Sequence, residues 1–133
     1  MDGRSFINIA RQFCTSQDEA ERRTSIGRSY YALYNLLITT LSERGVIFKE
    51  TPDDHYKLIG YLTKCGNRTA GLVGITLKDL RLERNRSDYE MKITVGLDMS
   101  DLVYKKATRA ITEFDSISAP ELQQIVDKIQ ALP

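Results

Sequence analysis

Residues 18–44 read DEAERRTSIGRSYYALYNLLITTLSER, and within them Ile26, Tyr30, Leu33, Tyr34, Leu37 and Leu41 recur at intervals of three and four. That spacing matches the roughly 3.6-residue turn of an α-helix and places all six side chains on one stripe. The stretch therefore predicts one long amphipathic helix from about Asp18 to Arg44. Ser16 followed by Glu19 reads as a capping box at its start, and Gly45 as the stop at its end.

The pattern continues on both sides. Upstream, Phe6, Ile9, Ala10 and Phe13 suit a short helix packed on the rest. Downstream, Thr51-Pro52-Asp53-Asp54 combines a hydroxyl cap, proline in the first turn and acid at the positive end of the helix dipole, so a helix carrying Ile59 and Leu62 inward runs to about Lys64. Gly66 and Asn67 mark a connection, after which Val73, Leu77 and Leu80 form a stripe whose next position is Arg84. Gly96 to Ser100 reads as a loop, and Val103, Ala107, Ala110, Phe114 and Ile117 mark a helix starting near Asp98 or Ser100. Ser118 with Glu121 makes another capping box, opening a last helix through Leu122, Ile125, Ile129 and Leu132. Only Lys92 to Leu97 hints at a brief extended stretch. The expected architecture is all-α, an antiparallel bundle of five to six helices making a single domain over 1–133.

Composition narrows the function. The chain has 133 residues, 41% hydrophobic and 28% charged, with 19 Lys and Arg against 18 Asp and Glu. Enough apolar surface exists to build a core. A net charge of +1 argues against coating nucleic acid by bulk phosphate neutralisation, so any such contact is expected to be local. Cys14 and Cys65 match no metal or redox spacing and read as free, buried thiols in a reducing compartment. Met1 to Ile9 carries only a short apolar run, and no stretch reaches the roughly 18 apolar residues of a membrane span. A soluble, cytoplasmic protein without membrane contact is expected.

One histidine, His55, excludes a helical zinc site that needs two, and no Ser or Cys nucleophile pairs with it by spacing. The glycines are scattered and form no phosphate-cradling loop, so neither metal nor cofactor is expected. Two segments remain unusual. Arg28-Ser29-Tyr30-Tyr31-Ala32-Leu33-Tyr34-Asn35 clusters three tyrosines on a helix that also presents Arg28 and Asn35, seven positions apart, on one face. Arg81-Leu82-Glu83-Arg84-Asn85-Arg86-Ser87-Asp88-Tyr89 continues an apolar stripe into a guanidinium. Arg84 at the edge of a packed surface wants a forked partner, either Asp88 one turn on or a phosphate from outside.

Together these segments resemble the HEPN superfamily of small helical domains. Arg28 to Asn35 is similar to that family's Arg-x-Tyr-Tyr-Ala-x-(Tyr/Phe)-(His/Asn) helix, His55 with Lys57-Leu58-Ile59 to its middle helix, and Arg84 to Glu90 to its Arg-x-x-(Ala/Ser)-Asp-Tyr signature. The resemblance implies a homodimer whose protomers bring these motifs into one cleft, with a nucleotidyltransferase-like antitoxin as possible partner and RNA or a nucleotide as ligand. Active members cleave RNA without metal through an Arg followed by a His. Mapped by resemblance, Arg84 takes the arginine position, Asn85 the polar one, and Tyr89 stands where the histidine falls. A phenol with an ordinary pKa near 10 is a poor base at neutral pH.

The resemblance thus implies first a nucleotide- or RNA-binding accessory component of a toxin–antitoxin or phage-defence system, with Arg28, Tyr31, Asn35, Arg84, Asn85, Arg86 and Asp88 lining a polar groove. Its alternative is a metal-independent endoribonuclease toxin using Arg84, with His55 or Tyr89 moving the proton.

Overall fold

The computed structural model of the protein describes residues 4–133; the first part of the segment inspected for a leader, residues 1–3, lies outside them. Six helices follow in order: α1 (Ser5–Phe13), α2 (Glu19–Glu43), α3 (Asp53–Lys64), α4 (Arg68–Tyr89), α5 (Leu97–Asp115) and α6 (Ala119–Gln130). There is no strand among the described residues, and Lys92 to Val95 forms an irregular turn. No helix among them is long and apolar enough to cross a membrane.

The helix ends show where local chemistry departs from the sequence reading. At α2 the cap is Asp18, whose carboxylate accepts the Ala20 N–H at 2.9 Å. Ser16, expected in that role, instead accepts the Asp18 N–H and donates its hydroxyl to Glu21 at 2.7 Å. Glu19, its expected capping partner, reaches across the fold to accept the Val95 N–H at 2.8 Å. The far end of α2 closes as expected at Gly45 (φ 98°), with Val46 N–H returning to the Leu41 carbonyl and Gly45 N–H to that of Ser42.

The start of α3 is held by the Thr51 carbonyl, which accepts the Asp54 N–H, and not by the Thr51 hydroxyl. Asn67 caps α4 through Ala70 N–H at 2.9 Å. α5 begins at Leu97, so most of the loop expected over 96–100 is helix. Ser100 is buried there and donates its hydroxyl to the Cys14 carbonyl, tying α1 to α5. Ser118 accepts the Glu121 N–H at the head of α6, the capping serine read from sequence. Ile117 lies in the α5–α6 turn and not on α5, yet still packs against the core.

α2 runs through the middle and packs against α1, α4 and α5, while α4 also packs on α3, and α6 closes against α3. Ile26, Tyr30, Leu33, Leu37 and Leu41 of α2 are fully buried with Leu58, Leu62, Val73, Leu77, Leu80 and Val103. Each such side chain contributes about 1.5–3 kcal/mol by leaving water. Cys14 and Cys65 are buried and unbridged.

Two arginines of α2 anchor the connection that follows α4. Arg23 donates to the carbonyls of Ser87, at 2.6 Å, and Ile93, and Arg22 donates to Val95 at 2.8 Å. These carbonyls at a helix end and in a turn have no ladder partner, so the guanidiniums fill that role.

α3 and α4 approach closely at Gly74, where an added Cβ would stand 2.9 Å from Leu62 Cβ. Gly74→Ala therefore forces helices apart and should cost about 1–3 kcal/mol despite its better helix propensity. Urea unfolding followed by circular dichroism checks it, and an unchanged midpoint would mean that the contact yields freely.

Candidate functional site

Three helices converge on a patch of rings and guanidiniums. α2 supplies Tyr30, Tyr31 and Tyr34, α3 supplies His55 and Tyr56, and α4 supplies Arg81, Arg84, Asn85, Asp88 and Tyr89. Tyr30 is completely buried, and its hydroxyl is bonded to His55 Nδ1. Burial pushes the phenol's pKa well above its ordinary value, so it keeps its proton and needs an acceptor. Nδ1 is the acceptor it meets, which assigns the Nε2–H tautomer to His55. The imidazole stacks on Tyr34 at 4.3 Å between centroids and meets the edge of Tyr31 at 6.4 Å.

His55 is held below its usual pKa, first by burial and then by the cations Arg81 and Arg84, with Asp54 opposing. Tyr34 is pushed upward by burial and by Asp54. At neutral pH the centre of the patch is thus uncharged, and its charge sits on the α4 rim.

Arg84 occupies that rim as its position after Leu80 implies, with its side chain 20% exposed. Its guanidinium lies 5.2 Å from the Tyr31 ring and 5.7 Å from Tyr89. One terminal nitrogen donates to Asn85 Oδ1 at 3.1 Å. Asp88 Oδ2 stands 2.9 Å from Nε, but off the N–H direction, so the pair is electrostatic and the buried Nε–H has no acceptor along its own axis. The forked clasp anticipated for Asp88 is not formed, and the guanidinium keeps unused donor capacity.

The remaining expected residues divide. Arg28 lies over the Phe6 ring at 5.1 Å and, with Tyr31 and Asp88, lines a groove of about 200 Å³ between α2 and the end of α4. Asn35 follows Tyr31 by one turn, half-buried, and its amide makes no hydrogen bond among the described residues. Arg86 is roughly 200° around α4 from Arg84, facing the other way, where it pairs with Glu83 and Glu90. Tyr89 is 71% exposed at the helix end. His55 belongs to the buried side of the patch, one ring away from Arg84.

The sequence reading passed over Arg81 and Tyr56. Arg81 sits 4.2 Å above the Tyr56 ring and, with Asn85, lines a second groove on the α3 side of α4. Its only signal was a position one turn before Arg84. Among the described residues no group of three or more His, Cys, Asp or Glu is arranged to hold a metal. Comparison with protein-family models, with curated proteins and with solved structures finds no match to this chain.

Because the imidazole is less basic in the fold, stability falls as pH drops from about 6.5 through the lower folded value; because the Tyr30 phenol is less acidic, stability falls again as pH rises above about 10. As this is the single histidine, its ring protons report the site directly by NMR. They should titrate below 6.5, and Arg84→Met should shift that titration upward by removing a facing cation. A downward shift would contradict the electrostatic picture.

Proposed function

We propose that this chain is a HEPN-like homodimeric module that holds RNA or nucleotide phosphate at Arg84, as an accessory component of a toxin–antitoxin or phage-defence pair. One observation carries the phosphate site: a guanidinium braced by two tyrosine rings and flanked by Asp88 makes a single hydrogen bond among the described residues, from one terminal nitrogen to Asn85, and keeps its other terminal nitrogen for an outside acceptor. Planar, forked donors held in place are suited to phosphate oxygens, since little side-chain freedom remains to be lost on binding. Arg28 brings a second cation to the adjoining groove, and Gly27 keeps that groove clear, because a Cβ there would meet no atom within 4 Å.

The all-helical fold and the three motifs that resemble HEPN sequences support the family reading. The homodimer is supported by apolar side chains left exposed along α4 and the start of α5, namely Leu72, Ile75, Met99 and Leu102. The nucleotidyltransferase-like partner is carried over from the resemblance alone. RNA cleavage is the second reading, favoured by the neutral imidazole of His55 next to Tyr31, the ring that also carries Arg84.

Fluorescence polarisation of an end-labelled single-stranded RNA, followed by a denaturing gel, tests both readings. Arg84→Ala should weaken binding by about 1.5–3 kcal/mol, or 10- to 150-fold, with the RNA intact in EDTA. Fragments formed by the wild type and not by Arg84→Ala would move the protein to the nuclease reading. Equal affinity of the two proteins would remove Arg84 from both.

Light scattering at micromolar concentration should give a dimer, and Leu102→Glu should shift it toward monomer by placing a charge on the exposed face. A wild-type monomer would remove the composite cleft.

A further inference from the structure

The groove between α3 and α4 is separate from the Arg28 groove and has a different character. It holds about 390 Å³ and is lined by Tyr56, Ile59, Gly60, Lys78, Arg81, Leu82 and Asn85. That volume falls within the roughly 300–1,000 Å³ of small-molecule sites, which combine an apolar lining with a few directed polar groups. Ile59 and Leu82 supply the apolar part, and Lys78 and Arg81 bring two cations to one edge. Tyr56 adds a ring that is 68% exposed yet braced by Arg81, so an open aromatic face is presented at little entropic cost.

Gly60 gives an independent indication. It lies inside α3, where glycine is less favourable than alanine, yet an added Cβ would meet nothing within 4 Å. Packing does not require the glycine, in contrast to Gly74 one helix away, where Leu62 leaves no room. What the missing side chain does at position 60 is leave the floor of this groove open.

We infer that this groove is the seat of an unpaired nucleobase stacked on Tyr56, with the phosphate of the same nucleotide held by Arg81 and Lys78. The inference rests on the proposal that Arg84 binds phosphate, and it deepens it. Arg84 bonds Asn85, which lines this groove, so the next phosphate of a single strand leaving the seat would meet Arg84. Paired bases are stacked within their duplex, whereas a lone nucleotide or a single strand offers the free face that Tyr56 needs.

Fluorescein-labelled hexa-adenylate RNA and a hexamer of the same backbone lacking its bases provide the test, measured by polarisation. The wild type should bind the base-bearing RNA roughly five- to 150-fold more tightly, the range that stacking of one base on an aromatic side chain provides. Tyr56→Ala should erase that ratio without changing affinity for the baseless strand, and Tyr56→Phe should retain it. Gly60→Leu fills the floor and should erase the ratio with no loss of melting temperature. Competition by AMP would identify a free nucleotide as sufficient, whereas competition by unlabelled hexa-adenylate alone would identify a strand; either result agrees with the seat. A wild type that binds both strands equally, with Arg84→Ala weakening both, would overturn the base seat and leave the phosphate site standing. A wild type that binds neither strand would overturn both.

Discussion

A phenol buried away from water must donate a hydrogen bond to an acceptor, and Tyr30 donates to His55. This bond joins the centre of α2 to the first turn of α3 at a place where neither helix can slide without leaving a polar group unsatisfied. Everything exposed at the site depends on that registration. With Tyr30 fixed inward, its neighbour Tyr31 turns toward α4 to support Arg84, and Tyr34 completes the stack on the imidazole. On α3, fixing His55 inward leaves Tyr56 pointing out beneath Arg81.

The arginines sort by what meets their donors. Arg22 and Arg23 are used within the fold, each donating to more than one backbone carbonyl of the segments around α2. Arg86 is covered by two carboxylates on its own helix. Arg81 and Arg84 lie over rings, an arrangement that holds a guanidinium in position through its face; Asp88 flanks one edge of Arg84, and a terminal nitrogen stays available. A contact to the face orients the group without saturating its hydrogen-bonding capacity, which distinguishes a prepared donor from a structural one.

Much of the fold was legible because α2 carries its stripe from Ile26 to Leu41, long enough for the helical period to dominate every alternative. Ser118 was legible for the same local reason, since its acceptor role involves a neighbour three residues away. Ser16 and Glu19 misled because the pair satisfies a local rule while Val95, distant in sequence, offers Glu19 a better donor. At the site, Arg84 with Asp88 could be read from an i,i+4 spacing, although the misaligned Nε–H could not. The union of Arg84 with Tyr31 depends on how α2 and α4 cross, and no periodicity encodes that. Tyr56 and Gly60 were overlooked because an exposed tyrosine and a mid-helix glycine carry no pattern until α4 is laid beside them.

The bond from Arg84 to Asn85 leads from the ring-braced guanidinium to a residue that lines the groove between α3 and α4. An anion that attracts the guanidinium away would release the amide oxygen, altering what that groove can accept. An anion at Arg84 would then change the free energy of filling the groove that Asn85 lines, and thermodynamics requires the influence to be equal in both directions. A single side-chain hydrogen bond would be the link between them.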